Sequence, residues 1–309
     1  MLRMDSEPGQ VTSPLSDAIS TESPAMFRSR LEFQQILHDR AITPSFQPIV
    51  NPFSGTVLGY EVQVRSTRDG RRGAADLCLA ASRVGMEDEL SALTRSIGMI
   101  HARFLPSHAI RFLNTHASEI AGSKLLASLT ALRENDPDVP IVLEIHESSI
   151  SEPPLIKEFN KQLQQLDIGL AYEGFGQGES RILEFIEAPP DFLKFNIELI
   201  RGIHVAAKSR QKLLASLVQL ARDLGTLTIA EGVEALPELE VCKQLGVDLV
   251  QGYYSGRPQP VEWILADLVN GKTNPETTAT RLQQPLGRAS KSKPDQPHET
   301  SFRMQAGCR

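Results

Sequence analysis

IVLEIHESSISEPPLIKEFNKQLQQLDIGLAYEGF, Ile141–Phe175, decides the fold class. Two short apolar runs rich in β-branched residues, Ile141–Ile145 and Ile168–Tyr172, flank a longer amphipathic stretch, Pro154–Leu166. Strand, helix and strand in that order predict an α/β domain with a parallel sheet. The alternation continues in both directions. Strand-like runs are predicted at Phe46–Val50, Val57–Val64, Ile110–Asn114, Phe192–Phe195, Leu227–Ala230 and Leu249–Tyr254, which makes eight with the first two. Helices are predicted at Ala74–Val84, Glu87–Phe104, Lys124–Glu134, Ser209–Leu224, Leu236–Leu245 and Val261–Leu268. In Ser209–Leu224 the residues Leu213, Leu214, Leu217, Leu220 and Ala221 recur at three- and four-residue spacing, one apolar face, and Gly225 ends it as a left-handed cap. Eight strands interleaved with helices point to a (β/α)8 barrel of the TIM type, a fold of about 250 residues. One departure is expected: Asn51–Thr56, NPFSGT, is a turn sequence, so the first two strands form a hairpin before the regular alternation begins.

The chain has 309 residues, 40% hydrophobic and 23% charged, with 32 Lys+Arg against 38 Asp+Glu and a formal charge of −6. No general basic field exists to hold a nucleic acid polymer or an anionic membrane. No apolar run approaches the roughly 18–20 residues of a membrane span, and the N-terminus lacks a secretory apolar core, so a cytoplasmic location is expected. Cys78, Cys242 and Cys308 are far apart and show no Cys-x-x-Cys spacing, so they are read as two core thiols and one tail thiol. Residues 1–26 and 272–309 are rich in Ser, Thr, Pro, Gln and Gly and are expected to be disordered tails around a single domain at 27–271. The second tail carries seven Lys/Arg against three Asp/Glu, a basic segment able to meet a protein partner.

Polar residues close the predicted strands where an α/β barrel places its chemistry. Glu61 ends VLGYE, Asn114 ends RFLN, Glu144 ends IVLE, Glu173 ends LAYE, Lys194 ends FLK, Glu231 ends LTIAE and Gln251 ends LVQ. Four carboxylates, two amides and a lysine converging on one mouth make an oxygen-rich pocket for hard cations such as Mg²⁺ or Mn²⁺. Paired divalent ions are the usual means of cleaving phosphodiesters, and a lysine beside them can act on the attacking water.

These residues stand in motifs that resemble the EAL domain family, bacterial barrels that hydrolyse cyclic diguanylate (cyclic-di-GMP). FQPIVNPFSGTVLGYEVQVR (Phe46–Arg65), FLNTH, LEIHE, LKFN, AEGVE and VQGYYSGRP occur in the family's order. The resemblance implies that Glu61, Asn114, Glu144 and Glu173 are metal ligands and that Lys194 and Glu231 are catalytic. It further implies that Gln47, Arg65, Gln251 and Arg257 bind the dinucleotide and that Glu147 supports a loop. Gln63 replaces the leucine of the family's Glu-Ala-Leu and, two residues from Glu61, points to the same side of its strand.

The resemblance breaks at AYEGFGQGES (Ala171–Ser180), where the family carries A-x-D-D-F-G-x-G. Glu173 lengthens the first acid, and Gly174 removes the second along with an oxygen ligand. Asn196 replaces a further acid near the lysine. The second metal position is therefore expected to be damaged, leaving one ion or none. Three readings stand open: a catalytically impaired cyclic-di-GMP receptor or adaptor; an active or slow metal-dependent phosphodiesterase; and a nucleotide-independent interaction scaffold. The family also dimerises through the face bearing the altered loop, so a homodimer is compatible with the resemblance.

Overall fold

The computed structural model describes residues 23–67, 73–120, 122–150, 152–177 and 181–270. The segments 1–22 and 272–309, read above as tails, lie outside the described residues. Residues 24–26, placed above in the first tail, are helical: Ser23 accepts a hydrogen bond from the Met26 N–H and caps α1, Pro24–His38.

The strands are β1 (Ile42–Val50), β2 (Val57–Ser66), β3 (Ile110–Asn114), β4 (Ile141–His146), β5 (Ile168–Phe175), β6 (Phe192–Phe195), β7 (Leu227–Ala230) and β8 (Leu249–Gln251). After α1 the helices are α2 (Ala74–Val84), α3 (Glu87–Ala102), α4 (Ser123–Asn135), α5 (Pro153–Gln165) and α6 (Ile182–Glu187). They continue as α7 (Ile197–Ile200), α8 (Lys208–Asp223), α9 (Leu236–Leu245) and α10 (Val261–Val269). The eight strands close into a barrel in sequence order, as expected of a TIM-type fold. β1 and β2 form the expected hairpin; β1 is antiparallel to both β2 and β8, and every other neighbouring pair is parallel.

Three helices were not expected from the sequence. α1 precedes the alternation, while α6 and α7 are short segments in β–α connections, too brief for a helical period to register. Gly225 takes the left-handed conformation just beyond α8, φ 77°, as the cap reading required. The last strand stops at Gln251, three residues earlier than predicted. A Cβ at Gly252 would stand 2.1 Å from the Val233 carbonyl oxygen, so this glycine is where the chain passes backbone against backbone and leaves the sheet.

Side-chain alternation builds the site directly onto the barrel interior. Phe112, Val142, Ala171, Phe192, Ile229 and Leu249 belong to the apolar cluster inside the barrel, with Phe112 and Phe192 packed edge to face at 5.2 Å. The residue two positions further along each chain points the same way. Those residues are Asn114, Glu144, Glu173, Lys194, Glu231 and Gln251, a polar layer directly above the apolar one. Glu61 enters the same layer from within β2, not from its end as the sequence suggested, because β2 continues to Ser66. β1 runs in the opposite sense, so Gln47 lies across from Glu61 in the hairpin register.

Outside the barrel a larger core packs strands against helices, and a smaller one joins Phe33, Ile36, Leu77, Ala81 and Leu90 of α1–α3 to Ile42 and Val64. Cys242 is buried, as expected. Cys78 is not a core thiol: it is exposed on α2 and faces the cavity beside the barrel mouth.

Candidate active site

Lys194 is the centre of the mouth. Fully buried on β6, its Nζ lies 2.7 Å from Glu144 Oε1, 3.0 Å from Glu231 Oε1 and 3.3 Å from Glu61 Oε2. Glu61 is the best satisfied of the carboxylates. Its Oε2 also accepts from Gln251 Nε2 at 2.5 Å, and its Oε1 from Asn114 Nδ2 at 3.2 Å and Gln63 Nε2 at 3.4 Å. Gln63 therefore faces the pocket, as its spacing from Glu61 required. Gln47 joins the same network: its Oε1 accepts from Gln63 at 3.1 Å and Gln251 at 3.3 Å, and its Nε2 donates to the Gly256 carbonyl.

Burial and charge pull these groups in opposite directions. Burial pushes the Glu61 carboxyl up, but Lys194 and the hydrogen bonds from Gln251 and Asn114 outweigh it and hold the group below its usual range. Glu144 lacks such donors, so burial, reinforced by the charges of Glu61 and Glu173, pushes it well up against the pull of Lys194. Glu231 is pushed up to about 7, chiefly by burial. Burial also raises Glu173. For Lys194 burial works against the charge, yet the surrounding carboxylates override it and the ammonium is strongly held.

The donor set has the chemistry of a hard-cation site: three carboxylates surround one ammonium with Glu173 nearby, and Glu144 Oε2 is buried without a hydrogen-bond partner among the described residues. Among those residues no three His, Cys, Asp or Glu side chains are grouped as ready metal ligands, and the Lys194 ammonium pairs with three of the carboxylates.

The remaining sequence-derived candidates divide into three groups. Glu147, just after β4, takes backbone N–H groups from Gly176 at 2.7 Å and Arg181 at 3.0 Å, tying down both ends of the segment that follows β5. Arg65 and Arg257 are exposed and stand outside the carboxylate network; Arg257 stacks 3.9 Å above the Tyr253 ring, which fixes its direction. Asn196 is not turned toward the lysine: its Oδ1 accepts the Glu198 N–H to cap α7, and its Nδ2 donates to Gln177.

At the altered strand, Glu173 lines the cavities on both sides of the mouth and makes no hydrogen bond or ion pair among the described residues. The β5–β6 register shifts between Tyr172 and Phe175, and Gly174 adopts φ 76°. A Cβ there would lie 2.8 Å from His146 Nε2. The imidazole thus stands where a side chain at position 174 would begin. His146 and His116 were not singled out from the sequence, although a signal existed. Each follows a layer residue by two positions, in Asn114-Thr115-His116 and Glu144-Ile145-His146. Arg201, ion-paired with Glu234 at 2.5 Å in the second cavity, was missed as well.

The chain was compared with known proteins. The EAL domain profile matches residues 30–258. Escherichia coli BluF, a blue light- and temperature-regulated antirepressor, is 25% identical over 226 residues, 67% of this chain and 52% of BluF. MucR of Pseudomonas aeruginosa, a bifunctional diguanylate cyclase/cyclic di-GMP phosphodiesterase, is 24% identical over 246 residues, 77% of this chain and 36% of MucR. The chain thus spans about half or less of the length of these relatives. Among solved structures, the EAL domain of Xanthomonas citri FimX in complex with c-diGMP shares the fold, with a TM-score of 0.69 at 18% identity over 76% of this chain and 95% of that one. With a family match covering most of its length and a barrel whose mouth carries the family's polar layer, the chain belongs to the EAL domain family.

Proposed function

We propose that this domain is a cyclic-di-GMP receptor or adaptor whose hydrolytic activity is impaired. The observation that carries this reading is the pairing of Gly174 with His146. Position 174 offers no side-chain oxygen, and a side chain there would meet the His146 imidazole, which supports the loss of a ligand from the second ion position of a two-metal site. The oxygen chemistry of the remaining donors supports one hard ion, Mg²⁺ or Mn²⁺, which Glu61, Asn114, Glu144 and Glu173 would hold after turning from their present partners. Such an ion supplies charge neutralisation for a phosphodiester and lowers the pKa of bound water. Gln47 and Gln251 would orient the dinucleotide from the mouth, and Arg65 and Arg257 would meet its phosphates from the rim. Glu147 would keep the segment after β5 in place.

Calorimetry with cyclic-di-GMP, with and without Mg²⁺, tests binding. Chromatography of the nucleotide after incubation with Mg²⁺ or Mn²⁺ tests turnover. Binding with little or no linear product is expected; failure to bind at tens of micromolar protein in either condition overturns the receptor reading.

The alternative reading, a slow phosphodiesterase, is supported by Lys194 and its three carboxylates, which retain a group able to act on water and another, Glu231, that can exchange protons near neutrality. Turnover that disappears in Lys194→Ala would decide for it. The antirepressor relative supports a third use, contact with a protein partner. Binding of partner without nucleotide would favour it.

A further inference from the structure

His146 and His116 occupy similar positions. His146 ends β4 and His116 lies two residues beyond β3; each precedes a single 3-10 turn, with Nδ1 3.2 Å from the Ser148 N–H and 3.4 Å from the Ser118 N–H respectively. A backbone N–H can only donate, so in His146 Nδ1 is the acceptor and the ring proton resides on Nε2; in His116 the Ser118 hydroxyl gives its proton to Asp88, so Nδ1, 2.6 Å from that oxygen, is the donor. Both imidazoles are exposed and line a cavity of about 730 Å³ with Glu61, Gln63, Asn114 and Glu173. For His146 the donor nitrogen is the atom that stands over Gly174. Where the family's motif places an acid at 174, this chain presents the His146 N–H donor and no acid. The local preference is inverted: a carboxylate at 174 would attract a cation, while Nε2–H presents its positive end to an oxygen acceptor.

Resting on the receptor reading above, we propose that His146 is a phosphate-contacting residue. Its Nε2–H donates to a non-bridging phosphodiester oxygen of cyclic-di-GMP in place of the ion that an acid at 174 would help to hold. Nucleotide binding at this side of the mouth therefore needs no divalent cation. Of the groups facing the ring, Glu173 opposes an anion. It lies opposite His146 in the β4–β5 register, and its charge interacts with the imidazole. Asn114 and the Cys78 thiol line the same cavity and carry no formal charge against the ligand.

Calorimetry in EDTA with cyclic-di-GMP as probe tests the proposal on the wild type, His146→Thr, His116→Ser and Glu173→Gln. The wild type is expected to bind in EDTA. His146→Thr should weaken that binding about tenfold, the scale of one hydrogen bond to a charged group. His116→Ser should leave it within twofold, because the His116 ring proton faces Ser118 and Asp88, and Glu173→Gln should strengthen it. Nitrogen-15 spectra of the imidazoles provide a readout independent of any variant: the proton should reside on Nε2 of His146, and that nitrogen should shift on nucleotide addition. The proposal falls if His146→Thr, folded by circular dichroism, binds in EDTA within twofold of the wild type, or if the His146 Nε2 signal does not move. Wild-type binding that requires a divalent ion overturns the phosphate contact while leaving the receptor reading intact. No binding with or without the ion overturns the receptor reading itself.

Discussion

On one side of the barrel mouth, β2, β4, β6, β7 and β8 bring Glu61, Glu144, Lys194, Glu231 and Gln251 into one buried network around an ammonium group. On the other, Glu173 of β5 and His146 at the end of β4 line open cavities, with Gly174 buried beneath the imidazole and no hydrogen bond or ion pair at Glu173 among the described residues. Both sides belong to the same polar layer, yet they are constrained differently. A charge in the buried network cannot change alone, because its partner would be left uncompensated at low dielectric. Glu173 and His146 line open cavities, so a charge lost or gained beside them leaves no ion-pair partner uncompensated. The departures from the family's motif at 173 and 174 fall on that side.

The comparison is broken most directly at its centre. Lys194→Met leaves Glu61, Glu144 and Glu231 without their shared cation and should destabilise the metal-free domain by about 3–5 kcal/mol, read by urea unfolding. Unchanged stability would show that the carboxylates are already neutral and that the network is not held by charge.

Gly174→Asp probes the open side. The left-handed backbone and the contact with His146 together should cost about 1–3 kcal/mol, and the single variant should gain no affinity for Mn²⁺. Combining it with His146→Thr removes the steric part, so the double variant should recover stability and take up Mn²⁺ more tightly than the wild type in calorimetry. If the single variant binds Mn²⁺ as well as the double, His146 does not block the second ion position.

The smallest effect concerns pH. Burial raises Glu231 from its reference of 4.5 to about 7, so the folded state keeps a proton that the unfolded state releases between those values. Stability from this group is complete below about 4.5 and is lost as pH rises through about 7. In EDTA, Glu231→Gln should therefore lose less stability than the wild type between pH 5 and pH 7.5. Equal losses would place Glu231 in water instead of in the network.

The readable part of this molecule is local and periodic. β3, β6 and β7, like α2 and α9, have the limits their sequences suggest, because a period of two or of 3.6 is carried by adjacent residues. The same period of two, counted from Phe112, Val142, Phe192, Ile229 and Leu249, points Asn114, Glu144, Lys194, Glu231 and Gln251 to one layer. Where a local pattern has competing causes the reading failed. Asn196 looked like a lost acid beside the lysine, but Asn is also a favoured helix cap, and it caps α7. Cys78 looked like a core thiol by residue type, while its place on α2 faces a cavity.

The sequence by itself determined a closed α/β barrel with a hairpin entry, the residues of its polar layer and the absence of an acid at 174. Only the tertiary structure decided that Lys194 holds the carboxylates together, across 133 residues in the case of Glu61, and that His146 stands over Gly174. The reason is geometric. Alternation along a strand fixes which way a side chain points, whereas barrel closure and the β5–β6 register shift fix which side chains meet.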